Sequence, residues 1–95
     1  MKIKEFRKLI INTSIELERH EELRVGQVLV NELCKLTGSA THPGMPNNID
    51  PFYNDLLVPD FLSFLIIGID NVKKQIEAEL LIEGFKNLHL SRIYL

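Results

Sequence analysis

The polar residues whose types and spacing could do chemistry are Arg24, Gln27 and Asn31. They stand at i, i+3 and i+7, so on a helix they form one polar stripe within an apolar run. A guanidinium and two amides in such surroundings need partners. Asp50 and Asp55, in the segment Asp50-Pro51-Phe52-Tyr53-Asn54-Asp55, are natural acceptors for Arg24 and its neighbours. Two readings follow. In the first, the set is a structural network that fastens the turn to the helix. In the second, Arg24, Gln27, Asn31 and Tyr53 line a shallow site for an anion, nucleotide or peptide, Arg and Tyr being residue types that anchor interfaces. Asp50 and Asp55 as paired carboxylates for acid–base work is a weaker reading than turn capping.

Other catalytic patterns are missing. His20, His42 and His89 do not stand in metal-ligand spacing, and His20-Glu21-Glu22-Leu23-Arg24 lacks the second histidine of a zincin helix. Cys34 lies in an apolar helical run, which favours an inert thiol over a nucleophile, and as the sole cysteine it can form no internal disulfide. The five glycines form no phosphate-cradling loop, and no serine sits in a Gly-x-Ser-x-Gly turn. The expectation is a non-enzyme with no cofactor and no metal.

Composition narrows the class further. Ninety-five residues, 45% of them hydrophobic and 25% charged, suit one globular domain spanning 1–95. Eleven Lys and Arg against thirteen Asp and Glu leave a formal charge of −2, so no basic field drives nucleic-acid binding. The second helix carries only Arg24 and Lys35 as basic residues, a poor groove reader. The apolar stretch 56–69 is interrupted by Pro59, Asp60, Ser63 and Gly68 and falls short of the roughly 20 residues that span a bilayer. With no signal-peptide pattern, a cytoplasmic protein that does not bind membranes is expected.

The elements that must position these residues read as a mainly α fold, a small bundle of about four helices. Ile3, Phe6, Leu9, Ile10, Thr13 and Leu17 recur at spacings of three and four, predicting an amphipathic helix to about residue 20. A second helix runs over 25–36 and stops at Gly38 in a left-handed cap. Residues 38–49 form a long Pro/Gly loop, expected to be exposed and mobile, and an ordered turn anchored by Phe52 follows. Pro59 and Asp60 open a third helix to about Ile67, apolar nearly all round, and Gly68 ends it. Asp70 or Asn71 caps a fourth helix through Lys86, with Val72, Ile76, Leu80 and Phe85 among its inward residues. The tail, 87–95, partly alternates and reads as a strand or a docked extended segment.

One pattern carries a resemblance. Arg24-x-Gly26-Gln27-x-x-x-Asn31-x-Leu33, then Asp50-Pro51-Phe52-Tyr53-x-Asp55 and Phe61-Leu62, resembles a family of small uncharacterised bacterial and phage or prophage proteins. It covers about residues 24–65, under half the chain. The family offers no established activity. The resemblance implies an accessory protein from a phage-like context, with Arg24, Gln27, Asn31, Asp50, Tyr53 and Asp55 as family-like positions. The chain departs from the pattern in the loop from Thr41 to Asn48 and in everything after Gly68.

An all-round apolar third helix in so small a domain either is enclosed completely by helices one, two and four or leaves an exposed patch, and such patches usually meet another protein. Phe61, Phe64, Leu65 and Ile67, with Ile93 and Tyr94 from the tail, are therefore the candidate interface. The functional expectation is a non-enzymatic protein acting by protein–protein contact, as a homodimer or on a host protein, with an anti-defence or immunity-type inhibitor as one version. The alternative is a small-ligand or nucleotide-binding module built on Arg24, Gln27, Asn31 and Tyr53.

Overall fold

Four helices account for most of the chain: α1 (Ile3–Arg19), α2 (Val25–Thr37), α3 (Val58–Ile67) and α4 (Val72–Tyr94). Two 3₁₀ turns, Asn47–Ile49 and Asp55–Leu57, lie between α2 and α3. The computed structural model describes residues 1–38 and 47–94, with backbone alone at 47, 90 and 94. Most of the expected long loop, residues 39–46, lies outside the described residues.

Local chemistry explains where each helix begins and ends. Glu5 turns its carboxylate back to accept from the Lys2 backbone N–H at 3.2 Å, holding the start of α1. Gly38 closes α2 in the left-handed region, φ 71°, donating its N–H to Cys34 O at 2.8 Å. Pro59 fits the first turn of α3, where a missing N–H costs nothing. Asn71 caps α4, its Oδ1 accepting from Lys73 N at 2.9 Å.

The core is built by all four helices. The predicted stripe of α1 holds: Phe6, Leu9, Ile10, Thr13 and Leu17 are buried. They meet Val25, Val28, Leu29 and Leu33 of α2, Phe61, Leu62 and Leu65 of α3, and Ala78, Ile82, Phe85 and Ile93 of α4. Polar contacts between the two ends of the chain climb in step. The Met1 amino group donates to Gly68 O at 3.1 Å, Arg7 pairs with Glu77 at 2.5 Å, Ser14 Oγ lies 3.3 Å from His89 Nε2, and Arg92 donates to Leu17 O at 2.9 Å. Both residue numbers rise together, so α1 and α4 lie side by side and run in the same direction.

Three expectations are corrected. The tail does not form a strand: residues 88–94 continue α4, because Phe85, His89 and Ile93 at four-residue spacing make a buried helical stripe that outweighs the local alternation. The inward face of α4 matches the prediction at Phe85 alone. Ala78, Ile82 and Phe85 are buried, whereas Val72, Ile76 and Leu80 are 71%, 54% and 69% exposed. Finally, Phe52 is only half-buried, and the residue that anchors its turn is the fully buried Pro51.

Three polar residues, Thr13, Glu32 and His89, are buried, and two of them bear on stability. Thr13 is fully buried and its hydroxyl has no hydrogen-bond partner among the described residues, so the fold carries its desolvation cost. Thr13→Val, which removes only that hydroxyl, is expected to leave stability unchanged or raise it by up to about 1 kcal/mol in thermal or urea unfolding. His89 lies where α4 kinks, at φ −114° and ψ 17°, and its ring packs 4.8 Å from that of Phe85. Burial, and then the neighbouring Arg92 guanidinium, hold its pKa below the ordinary 6.5, with Glu18 pulling weakly the other way.

The sign of the resulting pH effect follows from linkage. The unfolded chain takes up the His89 proton near 6.5 and the folded chain resists it, so protonation favours unfolding. Stability from this source is complete above pH 6.5 and declines as pH falls from there towards the lower folded value. Denaturant midpoints measured across that window should fall with acidification, and His89→Gln should flatten the slope.

Candidate functional site

The motif residues converge at the N-terminus of α2, which has no capping side chain of its own. Asp55 supplies the cap from 30 residues away: its Oδ1 accepts from Gly26 N at 2.9 Å and its Oδ2 from Val25 N at 3.3 Å. A carboxylate there satisfies two orphan donors and faces the positive end of the helix dipole. Glycine is required at position 26 by close approach. A Cβ added there would lie 1.9 Å from the Pro51 carbonyl oxygen, so only a bare backbone lets the turn seat against α2. Asp50 holds the turn itself, accepting from Phe52 N at 3.0 Å, and Asn54 accepts from Leu56 N at 3.0 Å.

The structural reading of the aspartates therefore holds, through a different partner from the one expected. Neither aspartate pairs with Arg24. The Arg24 guanidinium is exposed, donates to Tyr53 O at 3.4 Å and lies 5.8 Å from the centre of the Tyr53 ring. Tyr53 is 79% exposed. Gln27 is half-buried and Asn31 exposed further along α2, and neither hydrogen-bonds to the Arg24–Tyr53 pair. A shallow groove of about 320 Å³ beside Arg24 and Tyr53 is lined instead by Asn54, Asp55, Leu56, Arg92 and Ile93. The six motif residues thus divide into a turn lock, Asp50 and Asp55, an exposed pair, Arg24 and Tyr53, and two separate amides.

Arg92 is a key residue that the sequence did not single out. Its guanidinium collects the carbonyls of Leu17, Glu21 and Leu23, the last through a very short contact, and so ties α4 to the end of α1 and the link to α2. A fork of five donors suits several carbonyls at once. The only local signal is a basic residue in the last turn of a helix. Glu32 was likewise unmarked. It is buried on α2 and accepts from Lys35 Nζ at 3.0 Å, which raises the Lys35 pKa. Cys34, expected to be buried, is half-buried.

The candidate interface divides as well. Phe61, Leu65 and Ile93 are buried in the core, Phe64 is half-buried, and Ile67 is 79% exposed; the Tyr94 side chain lies outside the described residues. Exposed aliphatic side chains occur on α1, at Ile11 and Ile15, and at Leu56, but the largest set lies on α4. Ile67 joins Ile76 and Leu80 around a groove of about 560 Å³ between α3 and α4, with Glu79, Glu83 and Lys86 on its rim. Helical spacing could have found it: Ala78, Ile82 and Phe85 make one stripe and Val72, Ile76 and Leu80 another, nearly opposite.

No protein-family model, curated protein or solved structure matches this chain. Among the described residues, no helix is long and apolar enough to cross a membrane, and no group of three or more His, Cys, Asp or Glu is gathered as metal ligands would be.

The turn lock yields a graded series. Asp55→Ala should cost about 1–2 kcal/mol in denaturant unfolding, the scale of a lost N-cap. Gly26→Ala should cost about 3 kcal/mol, the upper part of the overpacking range, because the obstructing atom is backbone. Arg24→Ala, at an exposed site, should stay within about 0.5 kcal/mol of the parent.

Proposed function

We propose that this is a small non-enzymatic accessory protein that works in the cytoplasm by binding another protein, through the outer face of α4 and the adjoining end of α3. The observation that carries this reading is the second apolar stripe of α4. The core is complete without Val72, Ile76, Leu80 and Ile67, yet these four remain exposed, three of them around one groove. Single exposed aliphatics are ordinary on a protein surface; a contiguous set with a polar rim is the usual composition of a contact surface. Charged rim residues such as Glu79, Glu83 and Lys86 fit that anatomy. In the phage-like setting that the motif resemblance implies, an inhibitor or immunity-type role is one form such binding takes.

The ligand-binding alternative has less support. Among the described residues Arg24 makes no ion pair, as an anion site requires, but Gln27 and Asn31 do not line the groove beside it.

A photoreactive side chain placed at Ile76 or Leu80 in cells should form a protein–protein crosslink. The same probe at exposed Glu18 on α1 should form none. Absence of crosslinks from Ile76 and Leu80 would overturn the reading.

A further inference from the structure

We infer that the occupant of the outer face of α4 is a second copy of this chain, docked antiparallel along α4 with Lys73 of each copy against Glu83 of the other. The inference rests on the interaction reading above and specifies its partner.

The argument begins with spacing. Lys73, Ile76, Leu80 and Glu83 follow one another at intervals of three, four and three, the seam of a two-helix coiled coil, and all four are exposed. The core-facing residues Ala78, Ile82 and Phe85 lie on the opposite side of the helix, so the seam is free to meet a partner.

Orientation follows from charge. In an antiparallel pair, a two-fold axis that sets Ile76 against Leu80 of the second copy also sets Lys73 against the second copy's Glu83, because both pairs are symmetric about position 78. The result is four layers, with two apolar layers closed at each end by an ion pair. A parallel pair would set Lys73 against Lys73 and Glu83 against Glu83, and like charges facing each other oppose association. The seam is thus self-complementary in one direction only, and a two-fold contact of this kind closes as a dimer.

The partners needed are at hand in the monomer. Lys73 makes no ion pair among the described residues. Among the described residues Glu83 pairs with Lys86 of its own helix alone, at 3.7 Å on the surface, a contact easily exchanged. Glu77 near the axis is already neutralised by Arg7 at 2.5 Å. Among the described residues Glu79 makes no ion pair, and the same register brings it towards Glu79 of the second copy, which opposes association.

Sedimentation velocity of the full chain over a dilution series provides the test, with circular dichroism confirming that each variant is folded. The parent should show a monomer–dimer equilibrium. Lys73→Glu and Glu83→Lys should each weaken it by about tenfold or more, since each turns two attractive layers repulsive. The combined exchange should return to within about threefold of the parent, and Glu79→Gln should tighten the dimer. A dimer indifferent to these changes, or a combined exchange that fails to restore association, would overturn the register. A parent that stays monomeric while the Ile76 photoprobe captures a different protein overturns the dimer and leaves the interaction reading standing. A monomer with no crosslinks removes both.

Discussion

Backbone N–H groups at the start of a helix need acceptors, and α2 carries none in its own capping position. The structure meets that need by folding a distant turn onto the helix end, so that one carboxylate serves two donors. Much else depends on this contact. It requires glycine at position 26, because the Pro51 carbonyl occupies the space a side chain would take. It fixes where the chain re-enters the core after the long loop, since the Asp55–Leu57 turn leads directly into α3. The motif that first looked like a set of chemical groups is largely the description of one joint.

A second joint works at the other end of the bundle. Carbonyls around the end of α1 converge on Arg92, and the buried His89 lies one turn earlier on α4. With two charged or titratable side chains holding α4 against α1, the last two turns need not be strongly apolar to stay helical. Exposed Asn87, Leu88 and Ser91 are tolerated there.

What the sequence made legible was local. Helical spacing identified the buried face of α1, and Gly38, Pro59 and Asn71 marked ends and starts through chemistry that acts within a few residues. The face of α4 was not legible, because Val72, Ile76 and Leu80 are as apolar as Ala78, Ile82 and Phe85, and the choice between them is made by helices 10 to 70 residues away in sequence. The aspartates were recognised as acceptors, but their donors were misassigned. A side-chain guanidinium is visible in a sequence, whereas an unsatisfied backbone N–H is not. Arg92 escaped notice for the same reason, since its partners are carbonyls.

The parallel pairing of α1 with α4 also governs the order in which this chain can become a protein. Among the described residues, the polar contacts between them join residues separated by 70 to 75 positions. Closing such long loops is slow relative to forming helices, because loop entropy is lost before the contacts are gained. During synthesis α1 emerges first and has no neighbour for most of its apolar stripe beyond α2. The Leu17 carbonyl and the Ser14 hydroxyl gain these partners only when α4 arrives. The bundle is closed by contacts between its first and fourth helices.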